Sequence, residues 1–124
     1  MPETNIPGFQ IRAAIETDVP VILSFITKLA VYEKLAHEVV ATEEKLRDTL
    51  FGKRRFAEVA LGFFQGEPVG FVLFFHNYST FLAKPGLYIE DLYVDETFRG
   101  RGFGRALFLH VGQLAQDRDC GRLE

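Results

Sequence analysis

A chain of 124 residues, 48% hydrophobic and 25% charged, has the size and balance of one globular domain around one core. Its net charge of −3 and pI near 5.6 argue against nucleic acid, whose binding rests on clustered Lys and Arg. A single cysteine, Cys120, excludes an internal disulfide, and the longest apolar run, Val69 to Phe75, is far too short for a membrane span.

Residues 1–9 carry two prolines, a glycine and no basic-then-apolar pattern. They read as a loose tail rather than a signal peptide, and the expected compartment is the cytoplasm. Gln10 to Ala13 suits a short strand. Thr17 or Asp18 can cap a helix whose early Pro20 lacks only an N–H that would be unpaired anyway. Ile22, Phe25, Ile26 and Leu29 give that helix one apolar face, fading near Leu35. A shorter helix fits Thr42 to Phe51, with Thr42 as cap, Glu43 and Glu44 at the positive end of the dipole, and Gly52 as its stop.

The texture then changes. Ala57 to Phe64 and Val69 to His76 are apolar runs rich in Val and Phe, joined by Gln65-Gly66-Glu67-Pro68, which predicts a hairpin with a four-residue connection. Asn77 to Gly86 reads as a polar, aromatic-studded connection, Leu87 to Val94 as a third long strand, and Asp95 to Arg101 as a loop. A helix is expected from Gly102 to about Asp119, with Phe103, Leu107, Val111 and Leu114 on one stripe and Gly121 ending it. Arg122-Leu123-Glu124 reads as the opening of a strand that the chain cuts off. The order β-α-α-β-β-β-α, then that strand, implies an α/β domain over residues 10–124. Its sheet is mixed, largely antiparallel and flanked by helices.

The strongest chemical signal is Arg99-Gly100-Arg101-Gly102-Phe103-Gly104-Arg105, after a strand and opening a helix. A helix N-terminus presents free N–H groups and a positive dipole end to an anion. Glycines let the backbone approach it, and arginines add forked donors. The bland alternative is a flexible basic turn. A Walker loop is absent, and G-x-G-x-G is not the G-x-G-x-x-G of a dinucleotide site.

The pattern R-x-x-G-x-G in this setting resembles the pyrophosphate loop of the GNAT acetyltransferase superfamily. IRAAIETDVPVILSFITKLAVYEK, LYIEDLYV and ETFRGRGFGRALF together resemble the spermidine/spermine (diamine) N-acetyltransferases and their bacterial relatives. The similarity covers nearly all of residues 10–124. It implies acetyl-CoA as co-substrate, a GNAT-like sheet and, as assembly, a homodimer. Backbone groups of Leu92, Tyr93 and Val94 would pair with the pantetheine arm as if it were a strand. Amides from Arg99 or Gly100 through Arg101, Gly102, Phe103, Gly104 and Arg105 would hold the pyrophosphate.

Glu90-Asp91 lies within an apolar strand, where charge is costly unless paired. Neighbouring strand residues face opposite ways, so a bulge would be needed to bring both to one cleft. The alternative is that one points to solvent or pairs with an arginine such as Arg12. The resemblance implies that Glu90 takes the proton from the substrate amine and that Asp91 attracts a cationic substrate. It implies the same amine-binding role for Tyr32-Glu33, for which a solvated helix end is the alternative. The polyamine enzymes carry a tryptophan before the third strand. Ser79-Thr80-Phe81-Leu82-Ala83 has none, which leaves lysine-like and other small amines open.

The remaining polar residues suggest less. His110 lies beside the apolar stripe and is expected to pack, while His37 and His76 stand alone in sequence. No spacing suggests a metal site, and no Ser-His-Asp or Cys-His set is evident. The resemblance places the tyrosine that protonates the departing thiolate beyond Glu124. The expected activity is therefore N-acetyl transfer to a small amine. The competing expectation is a catalytically incomplete module that binds CoA or only assembles with a partner.

Overall fold

The computed structural model describes residues 4–124. Four strands, β1 (Phe9–Ala13), β2 (Glu58–Phe64), β3 (Glu67–Ser79) and β4 (Lys84–Val94), form one antiparallel sheet in chain order. Helices α1 (Val19–Tyr32) and α2 (Glu43–Phe51) lie between β1 and β2, and α3 (Phe103–Asp117) follows β4.

The sheet carries a core on each face, because successive strand residues point opposite ways. Val59, Leu61, Phe71 and Tyr93 pack with Val19, Ile22, Phe25, Leu46 and Leu50 of the α1–α2 side. Ala60, Val72, Phe74 and Leu87 pack with Phe103, Leu107 and Val111 of α3. Burying each of the larger side chains contributes roughly 1.5–3 kcal/mol. The expected α3 stripe is present, with Ala115 as its last buried member and Leu114 only partly buried. No helix among the described residues is long and apolar enough to cross a membrane.

Several boundaries differ from expectation. The tail assigned to residues 1–9 is a folded turn from Thr4, and residues 1–3 lie outside the described residues. Thr4 Oγ1 donates to the Phe9 carbonyl (2.8 Å) and Phe9 N–H to the Ile6 carbonyl (3.0 Å). Phe9 opens β1 and is stacked on Phe103, ring centroids 4.1 Å apart, which anchors the segment to the core. The hairpin connection is two residues, not four. Gln65 and Gly66 both have positive φ (51° and 85°), the conformation whose twist matches the flanking strands. The predicted connection from Asn77 to Gly86 is mostly strand, with only Thr80 to Ala83 left for the turn.

The N-terminal ends of α1 and α2 are built differently. Thr42 caps α2 as expected, its hydroxyl accepting from Lys45 N–H at 3.1 Å. Asp18 does not cap α1 with its side chain. Its carboxylate accepts from the Ile15 N–H (2.8 Å) and pairs bidentately with Arg12 (2.6 and 3.0 Å). The helix α1 stops at Tyr32, and Lys34 takes a left-handed φ of 61° where the chain turns away.

After α3, residues 122–124 run parallel to β4. Leu87 N–H donates to the Arg122 carbonyl (3.0 Å), Glu124 N–H to the Leu87 carbonyl (2.9 Å), and Ile89 N–H to the Glu124 carbonyl (2.7 Å). Beyond Ile89, the outer edge of β4 has no strand partner among the described residues.

Candidate active site

A cleft of about 480 Å³ opens where the end of α1, the end of β4 and the glycine loop meet. Leu29 and Tyr32 line it from α1. Leu92, Tyr93 and Val94 line it from β4. Phe98, Arg99, Gly100, Gly102, Phe103, Gly104 and Arg105 complete it. Nearly all the residues expected to contact a phosphate and its thiol arm thus share one wall system. Leu29 and Phe98 were missed in sequence, although Leu29 belongs to the apolar stripe of α1.

The loop is built to leave amides free. Gly100 and Gly102 have φ of 81° and 85°, a region L side chains avoid, and Gly102 is the N-cap of α3. The first helical bond from this end is Ala106 N–H to the Gly102 carbonyl, at 3.0 Å. Among the described residues, the N–H groups from Gly100 to Arg105 donate to no protein acceptor. Six free donors at the positive end of a fifteen-residue helix are what an anion would need. Gly104 faces β4 with room for a methyl group: a Cβ there would lie 3.5 Å from Leu92 and 3.8 Å from Val94, ordinary contact distances.

The arginines divide the work differently from the expectation of three phosphate donors. Arg99 Nε donates to the Val94 carbonyl (2.8 Å), and its guanidinium lies 4.4 Å from the Tyr32 ring centre and 5.3 Å from that of Tyr93. Arg101 lies against Phe64 and Phe98, 5.4 Å from each ring centre. Arg105 is exposed on the first turn of α3 and makes no ion pair among the described residues.

The register between β3 and β4 slips at Glu90. Asp91 opposes Leu73 and Ile89 opposes Phe74, so Glu90 is the extra residue of a bulge. That breaks the alternation that would send Glu90 and Asp91 to opposite faces. The Asp91 carboxyl is held above its ordinary range, first by burial and then by the negative charges of Glu90 and Glu33. Three carboxylates therefore share one field next to Tyr32 and Leu92, although none of the three lines the cleft itself. None of them makes an ion pair or side-chain hydrogen bond among the described residues. Arg12, the alternative partner, is occupied by Asp18.

Other polar groups serve the fold. Arg118, just past α3, grips Glu58 bidentately (2.7 and 2.8 Å) and contacts His76 Nε2 (3.0 Å), while His76 Nδ1 meets the Gly86 carbonyl (3.0 Å). His76 is therefore not solitary, which sequence distance concealed. Burial lowers the His110 pKa, as packing beside the α3 stripe requires. Among the described residues no group of His, Cys, Asp and Glu is arranged to hold a metal.

Comparison with known proteins agrees with this geometry. Residues 27–124 match the acetyltransferase (GNAT) family. The chain is 34% identical to L-ornithine N5-acetyltransferase of Arabidopsis thaliana, covering 100% of this chain and 76% of that protein. It is 38% identical to thialysine N-epsilon-acetyltransferase of Bos taurus, covering 91% of this chain and 71% of that protein. An aminoglycoside acetyltransferase from an uncultured soil metagenomic sample shares the fold, with a TM-score of 0.80 at 20% identity over 94% of this chain and 76% of that one. A glycine cradle at a helix start, a β4 edge free beyond Ile89 and a match over most of the chain lead to one conclusion: this enzyme belongs to the GNAT family of acetyltransferases.

Proposed function

We propose that the protein moves an acetyl group from acetyl-CoA to a primary amine of a small cationic substrate, a diamine, polyamine or lysine-like molecule, by direct attack. The observation that carries this reading is the polarity of the cleft and its immediate surroundings. Free N–H groups from Gly100 to Arg105 stand at one end, and the carboxylates of Glu33, Glu90 and Asp91, unpaired among the described residues, stand at the other, beside Tyr32 and Leu92 but outside the cleft lining. An anion suits the first end and an ammonium the second. The ornithine and thialysine enzymes among its relatives act on substrates of that second kind.

The residues present fit acetyl-CoA: the loop amides would hold its pyrophosphate, and the open edge formed by Leu92, Tyr93 and Val94 would take its pantetheine arm. When bound, it supplies a thioester carbonyl as electrophile. An alkylamine of pKa about 10.4 is neutral in roughly one molecule per thousand near pH 7, and only the neutral form attacks. Asp91, Glu33 and Tyr32 would gather and orient the ammonium. Glu90, exposed on the bulge, would take its proton directly or through one water, a contribution of about 10²–10⁴-fold. A strand N–H near Leu92 would stabilise charge developing on the carbonyl oxygen, worth roughly 10²-fold or more.

The test is thiol release on mixing the protein with acetyl-CoA and ornithine, thialysine, spermidine or an uncharged amine of similar size. Turnover confined to the cationic amines is expected. CoA release that ignores the amine, or no CoA binding by calorimetry, would refute the reading.

A further inference from the structure

We propose that the Arg99 side chain is a positioning residue for the amine side of the reaction rather than a phosphate ligand. The inference rests on the functional reading above and assigns one residue of that site. Arg99 opens the glycine loop, where a guanidinium is expected to meet phosphate. The structure gives it another task. Its Nε–H donates to the Val94 carbonyl at 2.8 Å, which fixes the plane of the guanidinium against the end of β4. Its guanidinium carbon lies over the rings of Tyr32 and Tyr93, 4.4 and 5.3 Å from their centres.

Tyr32 needs such an anchor. It is the last residue of α1, is 54% exposed, and makes no side-chain hydrogen bond among the described residues. Its neighbour Glu33 belongs to the carboxylate group around Asp91. Tyr32 and Tyr93 also form the wall between the cofactor cleft and a second cleft lined by Lys28, Asp95 and Thr97. The stack therefore straps the end of α1 to the end of β4, so that the orientation of Tyr32-Glu33 depends on a residue that does not touch the amine.

Planarity is the discriminating property. A lysine restores charge, which is sufficient for a phosphate, but has no flat face for two rings and no Nε–H in that place. The experiment measures CoA affinity by calorimetry and steady-state kinetics with a diamine for the parent, Arg99→Lys, Arg99→Gln, Tyr32→Leu and the double variant Tyr32→Leu/Arg99→Gln. The expected result is an amine KM raised about tenfold in both Arg99 variants, with CoA Kd within about threefold of the parent. Tyr32→Leu should raise amine KM similarly, and the double variant should be no worse than about twofold beyond either single change, because both remove one contact.

A CoA Kd raised about tenfold or more by Arg99→Gln and restored by Arg99→Lys, with amine KM unchanged, overturns the strap and makes Arg99 a phosphate ligand. Additive losses in the double variant also overturn it. Should Arg99→Gln fail to fold, Tyr32→Leu with an unchanged amine KM is sufficient to reject it. A parent that neither binds CoA nor turns over rejects the functional reading, and the strap with it. A parent that turns over normally while the variants keep its amine KM rejects the strap alone.

Discussion

Gly102 and Gly104 stand two residues apart in the loop, and the structure assigns them different reasons for lacking a side chain. Gly102 has φ of 85°, so any L residue there is strained whatever the space around it. The left-handed conformation costs roughly 1–2 kcal/mol for a residue with a Cβ, and more for a β-branched one. Gly104 lies in α3 with no such φ, and its nearest neighbour would be 3.5 Å from a new Cβ, an ordinary contact. Gly102→Val should therefore lower the melting temperature by several degrees at a cost of more than about 2 kcal/mol. Gly104→Ala should leave it unchanged or raise it by up to about 0.5–1 kcal/mol of helix stability. CoA affinity is lost at Gly102 as well. The strain is relieved by rotating the loop peptides, which withdraws one N–H from the phosphate. A hydrogen bond to a charged group is worth about 1.5–3 kcal/mol, so Kd should rise roughly 10- to 150-fold. The assay is calorimetry with CoA on both variants, alongside a thermal melt. A folded Gly102→Val with Kd within about threefold of the parent would refute the cradle argument.

Three further outcomes are expected. Glu90→Gln should lower kcat by about 10²-fold near pH 7, partly recovered at higher pH as more amine is neutral; a pH–rate profile matching the parent would exclude the base role. Asp91 has its folded pKa raised by burial and by Glu90 and Glu33, so its ionisation works against the fold: its contribution is fully present below the ordinary carboxylate range and lost as pH rises through the raised value. Asp91→Asn should thus raise the melting temperature at pH 7, with the gain vanishing in acid, while raising the amine KM; equal gains at all pH values would contradict this. Asp18 has the opposite sign, its folded pKa lowered chiefly by the hydrogen bond from Arg12, so its contribution is present above the ordinary range and lost as pH falls through the lowered value. Asp18→Ala should cost roughly 2–3 kcal/mol at pH 7 by denaturant titration, and progressively less as pH falls through the lowered value.

Hydrophobic spacing alone carried the element order of this protein, because each face of the sheet needs its own apolar set and each helix its own stripe. Ile22 and Phe25 announced α1, Phe103, Leu107 and Val111 announced α3, and all are buried. Thr42 was legible as a cap because capping is chemistry within one turn. The loop from Arg99 to Arg105 was legible for the same reason: glycine spacing and helix polarity are local. What was misread depended on partners distant in sequence. Phe9 belongs to the core only because Phe103, ninety-four positions later, stacks on it. The polar ends of β3 and β4 are strand because each supplies the other's ladder, from His76 beside Leu87 to Ser79 beside Lys84. The bulge at Glu90 is a mismatch of register between two strands, and neither strand alone contains it. The surroundings of Arg99 and Arg12 are likewise set by the fold, although sequence offers phosphate for the first and Glu90 or Asp91 for the second. Tertiary packing delivered Tyr32 to the first and Asp18 to the second, since a guanidinium takes whichever flat ring or carboxylate the fold brings within reach.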